Sequence, residues 1–308
     1  MHATIEPRPF LKWAGGKRQL LTELRRFYPP TIRRYFEPFV GSGAVFFDLI
    51  AGGKLRSASA TLSDQNVDLI GTYLRLRNDT EAVIRALHRL AAGHRRGGRT
   101  FYYQVRDGRF NPGRDEWRRA GARPADYPIE LAAMLVYLNR TGYNGLFRLN
   151  RSGHFNVPAG RYVNPAIVYE DRLRSAAVAL RSSRVHIRRE PFERVVARAT
   201  EGDLVYLDPP YAPISSTSSF QSYTADGFTS HDQSRLRDGI VDAARRGAAV
   251  ILSNSTAPSV MALYEHRDVR RAGLRCWRVP ARRAINSKAD RRGEVEELVV
   301  SNVRARDP

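Results

Sequence analysis

The sequence predicts a doubly wound α/β fold, a mostly parallel sheet with helices on both faces, interrupted by a helical insert. Three observations carry this reading. The first 65 residues run strand, glycine turn, helix, strand. Strand and helix patterns alternate again from about residue 171, and the stretch 67–138 between them shows mainly helical periodicity.

Leu20, Leu21, Leu24 and Phe27 recur at helical spacing until Pro29 and Pro30 stop the pattern. Residues 34–39 read as a short strand running into the turn Gly41, Ser42, Gly43, and AVFFDLIA continues as a helix closed by Gly52 and Gly53. A second strand, 59–62, leads to Asp64. Leu69, Ile70, Tyr73 and Leu74, then Val83, Ile84, Leu87 and Leu90, form apolar helix faces. The Arg-, Gly- and aromatic-rich segment 88–126 reads as loop with short helices. Alternation resumes with a helix at 171–180, a strand at 184–187, a helix at 192–199 and the strand LVYL at 204–207. Ser230 with Gln233 forms a capping-box pattern opening the next helix, which leads to a strand at 249–252. EVEELVVSN reads as the last strand.

A chain of 308 residues with 42% hydrophobic residues can bury a full core. No uncharged apolar run approaches the ~18 residues of a membrane span, no secretory signal opens the chain, and the single Cys276 can make no internal disulfide. A soluble, cytoplasmic protein is the expectation. Lys and Arg number 51 against 31 Asp and Glu, a net charge of +20 with a pI near 10.8, which predicts a polyanionic partner. Histidines do not cluster with Cys, Asp or Glu at metal-ligand spacing, so no metal is expected.

The turn at Gly41 and Gly43 lets backbone approach a ligand at the carboxyl end of a strand, but Phe46 stands where a dinucleotide fingerprint has its last glycine. A pyrophosphate cofactor is disfavoured. Asp64 lies 23 residues beyond Gly41, near the spacing at which a carboxylate accepts hydrogen bonds from ribose hydroxyls. Asp208, Pro209, Pro210 and Tyr211 follow the apolar strand LVYL. The tandem prolines present carbonyls without competing N–H groups, and with the carboxylate and ring they suit an exocyclic amine on a flat base. Taken singly, each motif also reads as an ordinary tight turn.

Five segments in fixed order go further: PFLKWAGGKRQLL (9–21), YFEPFVGSGAVFFDL (35–49), ATLSDQN (60–66), LNRTGYNGLFRLNRSGHFNVPAGRY (138–162) and GDLVYLDPPYAP (202–213). Together they closely resemble the DNA adenine methylase family of adenine-N6 methyltransferases. SSFQSYTADGFTSHDQ, VILSNS and RRAINSKADRRGEVEELVVSN extend the match to most of the chain outside about 88–126.

The resemblance implies a class I S-adenosylmethionine-dependent methyltransferase fold. Residues 1–66 and 164–308 would form the catalytic, cofactor-binding α/β domain, and 67–163 a mostly helical target-recognition insert with a DNA-reading hairpin. It implies double-stranded DNA as partner, with GATC as the favoured site, and no obligate protein partner. By the same likeness Trp13, Lys17, Phe39, Gly41, Gly43, Asp64, Phe192 and Asp208 match cofactor positions, although Pro191 replaces the acid usual before Phe192. Asp208, Pro209, Pro210 and Tyr211 match the catalytic loop. Lys12, Tyr143, Asn144, Leu146, Arg148 and Pro158 match DNA-contacting positions. In major-groove terms Arg148 suits a guanine edge and Leu146 a thymine methyl, while Tyr143 suits stacking at the gap that base flipping leaves.

Arg95, Arg96, Arg99, Arg118 and Arg119 suit phosphate contacts or plain solvated surface equally. Cys276 has no base motif beside it and is expected to be an inert thiol rather than the nucleophile of cytosine-C5 chemistry. Two other readings stay open: methylation of an amine on RNA or protein, and a DNA-binding relative that has lost turnover.

Overall fold

The computed structural model describes residues 5–13, 15, 17–211, 228–282 and 294–306. Seven strands among them form one sheet in the order β3-β2-β1-β4-β5-β7-β6. These are β1 (Arg34–Glu37), β2 (Ser59–Ser63), β3 (Val185–Arg188), β4 (Leu204–Leu207), β5 (Ala249–Ser255), β6 (Arg275–Arg282) and β7 (Glu294–Ser301). The first five are parallel and β7 runs antiparallel between β5 and β6.

Alternation along the strands builds a core on each face. Tyr35, Leu62, Leu204, Tyr206 and Val299 point into one cluster. Phe36, Val205, Leu207, Val250, Leu298 and Val300 point into the other. Helices α1 (Leu21–Arg25) and α2 (Ala44–Ala51) bury Leu24, Val45, Phe46 and Leu49 in the first cluster.

The chain then leaves the sheet between β2 and β3. Helices α3 (Val67–Asn78), α4 (Thr80–Val105), α5 (Asn111–Arg119) and α6 (Ile129–Thr141) occupy most of this stretch, with a π-helical turn at Arg106–Phe110. The segment 88–126 is thus mostly helix, a correction to the expectation of loop with short pieces. Only Gly98, at φ 47° and ψ −126°, departs from helical geometry inside α4. The Gly-Gly pair kinks the helix without ending it. Residues 142–160 follow as an irregular hairpin, closed by bridges between Gly142 and Ala159 and between Leu149 and Phe155.

Helices α7 (Glu170–Leu180) and α8 (Phe192–Val196) flank β3 in sequence. Helix α9 (Ser230–Arg245) and the short α10 (Pro258–Tyr264) and α11 (Arg267–Arg271) complete the second face, burying Leu236, Ile240, Val260 and Val269. The capping box of α9 falls one residue earlier than expected. Thr229 accepts from the Asp232 amide and Asp232 reaches back to the Thr229 amide. Strand β6 was not anticipated from the sequence. The segment SSFQSYTADGFTSHDQ lies largely, and RRAINSKADRRGEVEELVVSN partly, outside the described residues.

Candidate active site

The order of strands reverses between β1 and β4, which pair directly at Tyr35 with Leu204 and Phe36 with Val205. In a doubly wound sheet the crevice beyond the carboxyl ends at such a point is where ligands bind. Here β1 runs on to Phe39 and the glycine turn, β4 delivers Asp208, and β2 ends next to Asp64.

Gly41 adopts φ +46°, and a Cβ on it would stand 2.9 Å from Cδ1 of Trp13. Only glycine permits this turn under that ring. The Tyr73 hydroxyl donates to the Gly41 carbonyl at 3.1 Å. Asp64 Oδ1 accepts from the Asn66 amide at 2.9 Å, and Oδ2 from the Gly41 amide at 3.4 Å. Burial raises the Asp64 carboxyl to about 6 even against these bonds. Phe39 stacks on Phe192 with ring centres 5.4 Å apart, and Phe228 meets Phe39 edge-on at 5.7 Å.

The second group centres on Lys17, which is buried. Its Nζ lies 2.8 Å from Asp208 Oδ1, donates to the Gly15 carbonyl at 2.8 Å, and sits 4.6 Å from the Tyr211 ring centre. The Tyr211 hydroxyl donates to Glu297 Oε2 on β7 at 2.7 Å. Burial lifts the Asp208 carboxyl to about 6, with the Lys17 ammonium opposing that rise. Pro209 is buried. Gln233 of α9 donates to the Pro210 carbonyl at 3.2 Å and is itself held by Asn254 of β5 at 3.1 Å.

The positions expected to contact DNA, apart from Lys12, sit on the hairpin. Tyr143 and Pro158 are exposed and pair through the Tyr143 amide and the Pro158 carbonyl at 2.9 Å, and Asn144, which follows Tyr143, takes φ 53°. Leu146 is half-buried, and Arg148 Nε donates to Asn156 Oδ1 at 2.7 Å. The hairpin rests on the helical insert, where Asn111 brackets both the amide and the carbonyl of Phe155. It also joins the crevice. Asn139 accepts from the Lys12 amide at 2.8 Å and donates to the Gly145 carbonyl at 3.0 Å, and Trp13 stacks on Phe147 at 6.0 Å. Gly145, at φ +66°, packs so closely that a Cβ would fall 2.5 Å from Lys12 Cβ. Lys12 Nζ lies 4.4 Å from the Tyr162 ring centre, and burial with the nearby Arg140 charge lowers its pKa.

The structure therefore gathers Lys17, Asp208, Pro209, Pro210 and Tyr211 in one cluster. Trp13, Gly41 and Asp64 form a second, and Phe39 with Phe192 forms an aromatic pair. Gly43 caps α2 at φ +66°. Tyr143, Asn144, Leu146, Arg148 and Pro158 are carried separately and linked through Lys12 and Trp13. Sequence reasoning missed Gln233, Asn254 and Glu297, whose partners come from distant elements. All three carried one signal, their place inside matching segments. Cys276 on β6 is half-buried, with Sγ donating to the Tyr264 carbonyl at 3.5 Å, and burial raises its pKa. Among the described residues no group of three or more His, Cys, Asp and Glu could hold a metal, and no helix is long and apolar enough to cross a membrane.

Comparison with known proteins shows the family. A type II methyltransferase of Lactococcus lactis subsp. cremoris is 36% identical over 303 residues, covering 97% of this chain and 96% of its own. A type II methyltransferase of Methanocaldococcus jannaschii is 37% identical, covering 97% of this chain and 100% of its own. The DNA adenine methylase of Escherichia coli K12 is 34% identical, covering 95% and 94%. The family model described as D12 class N6 adenine-specific DNA methyltransferase matches residues 13–275. The chain belongs to that family, and is an enzyme that methylates adenine in DNA at N6.

Proposed function

We propose that this enzyme transfers a methyl group from S-adenosylmethionine to adenine N6 in double-stranded DNA, at GATC, after flipping the base out of the duplex. The observation that carries the reading is the cluster of Asp208, Lys17 and Tyr211 at the end of β4, beside the β1 turn and Asp64.

The residues at the crevice fit the cofactor. Asp64 is an acceptor for ribose hydroxyls, Phe39 and Phe192 offer an aromatic wall to its adenine, and Trp13, Gly41 and Gly43 frame the turn beneath it. The Asp208 carboxylate, at the end of β4, offers negative charge to the sulfonium of a cofactor bound in the crevice. When bound, the cofactor supplies an electrophilic methyl group.

Adenine N6 is a poor nucleophile because its lone pair is delocalised into the ring. The Asp208 carboxylate and the Pro209 carbonyl accept its two hydrogen bonds, favouring the pyramidal amine on which positive charge develops. Tyr211 stacks on the flipped base. Gln233 occupies the Pro210 carbonyl and so stiffens the loop. Lys17 orients Asp208.

Flipping costs a few kcal/mol, which contacts to the duplex must offset. The hairpin supplies these in this reading, through Tyr143 at the vacated stack, Arg148 and Leu146 in the major groove, and Asn144, Pro158 and Lys12 beside them. Residues 67–163 then act as the target-recognition unit on a catalytic domain of 1–66 and 164–308. The GATC assignment rests on the likeness of the hairpin sequence to that of the DNA adenine methylases.

Plasmid from a methylation-deficient host, incubated with enzyme and S-adenosylmethionine, tests this directly. Resistance to a nuclease that cuts only unmethylated GATC, with sensitivity to one that cuts only methylated GATC, is expected. Methyl transfer to adenine without either change would withdraw the GATC site and leave the chemistry standing.

A further inference from the structure

We propose that Glu297 is a positioning residue for methyl transfer, holding Tyr211 by its hydroxyl and giving Lys17 a second carboxylate so that Asp208 is released to the adenine amine. The inference rests on the assignment of Asp208 and Tyr211 to the reaction.

The geometry is a fork. One oxygen of Glu297, Oε2, accepts from the Tyr211 hydroxyl at 2.7 Å and lies 3.6 Å from Lys17 Nζ. Lys17 in turn lies 2.8 Å from Asp208 Oδ1 and donates to the Gly15 carbonyl. A single buried ammonium thus stands between two carboxylates, closer to Asp208 than to Glu297.

An oxygen bound to Lys17 is a weaker acceptor for a neutral amine, because the ammonium already draws its lone pair. A base entering the crevice must therefore loosen the Lys17 to Asp208 pair. Glu297 makes this inexpensive, since Lys17 can move less than 1 Å toward it, by the 3.6 and 2.8 Å separations, and keep a counter-ion. The Tyr211 ring, whose hydroxyl ends on the same oxygen, is fixed in one plane by the same carboxylate. Facing Asp208 are Lys17, Ser253 of β5 at 3.4 Å and Glu297 of β7, with Tyr206 of β4 and Glu37 of β1 adding negative or polar character behind them. Of these only Lys17 is a cation.

Glu297→Gln tests the idea, because the amide oxygen still accepts from Tyr211 while the charge is gone. Lys17 then commits to Asp208. We expect kcat to fall about 10- to 100-fold, the size of one charged hydrogen bond, with KM for DNA and S-adenosylmethionine affinity unchanged. The acid limb of the kcat profile should move to lower pH, since a negative neighbour of Asp208 is lost. Wild-type kcat and an unmoved limb overturn the proposal, as does a lowered melting temperature with kcat intact. Should Glu297→Gln fail to fold, Glu297→Asp draws the charge back from both partners, and an unchanged kcat there overturns it equally. Tritiated methyl incorporation into adenine by the wild-type enzyme, measured alongside, separates the two levels. Its absence would refute the assigned chemistry, whereas its presence with an indifferent Glu297 variant refutes only this role.

Discussion

Arg114 and Asp68 form a bidentate ion pair closed off from solvent, Nε to Oδ1 at 2.9 Å and Nη2 to Oδ2 at 2.8 Å. The pair ties α3, whose N-cap Asn66 follows Asp64, to α5 beneath the hairpin. The Tyr127 hydroxyl adds a bond to Asp68 Oδ1 at 2.9 Å, and Arg114 Nη1 reaches the Gly153 carbonyl of the hairpin at 2.8 Å. Removing one partner leaves the other charged and buried, which costs about 3–5 kcal/mol. Arg114→Met should lose about that much in urea denaturation. Pairing it with Asp68→Leu should recover a large part, because no charge then remains to be desolvated. A double variant no better than the single one would show that the loss comes from the other bonds and packing of the pair and not from an uncompensated charge.

In the proposed mechanism Asp208 must be ionised to accept a hydrogen bond from the adenine amine. Its carboxyl is raised to about 6 by burial, with Lys17 holding it down. Turnover should therefore fall as pH drops through about 6. Lys17→Met removes the opposing cation, so the acid limb should move to higher pH. Asp208→Asn should cost about 10²-fold or more in kcat while DNA affinity persists, the scale of losing a preorganised electrostatic contact. Single-turnover rates from pH 5 to 8 decide both points.

Much of the crevice was legible because its parts are local. A strand, a glycine turn and a helix within residues 34–51 announce the β1 turn, and Asp208 follows LVYL directly. What was hidden depends on partners distant in sequence. Gln233 reads as a cap residue for α9, yet its side chain goes to the Pro210 carbonyl, and the cap falls to Thr229 and Asp232. Strand β6 was masked by Arg275, Arg278 and Pro280. As the sheet's edge it tolerates a proline, which an interior strand would not. In α4 and α5 the apolar stripe is diluted by arginines, and one of them, Arg114, is core. Composition registers such a residue as surface because burial of Arg needs a partner, here Asp68, that no local pattern reveals.

Arg148 is held to the hairpin by Asn156, through Nε at 2.7 Å, before any DNA arrives. A preoriented guanidinium loses less freedom on meeting a guanine edge. Arg148→Ala should relax discrimination at one base pair of the site by about 1–3 kcal/mol. Asn156→Ala should lower kcat/KM on the cognate site and blunt the same discrimination to a smaller degree. The measurement is kcat/KM on duplexes carrying each single substitution of the site. If Asn156→Ala lowers activity equally on all of them, it serves hairpin stability and not base reading.

Glu37 lies at the end of β1, buried, accepting from the Tyr35 hydroxyl at 2.8 Å, and burial raises its carboxyl to about 8. The sign of its effect on stability follows from proton binding. Between the unfolded value of 4.5 and about 8 the folded state holds a proton that the unfolded chain has released. The stability this group contributes is full below 4.5 and is lost as pH rises through 8. Each pH unit across that window removes about 1.4 kcal/mol from this one group. Glu37→Gln keeps a neutral hydrogen-bonding side chain at every pH, so it abolishes that slope. The wild-type and Glu37→Gln proteins should melt at similar temperatures near pH 5 and diverge as pH approaches 9, with the variant the more stable. Parallel melting curves across this range would mean that Glu37 stays ionised in the fold, held by donors stronger than Tyr35.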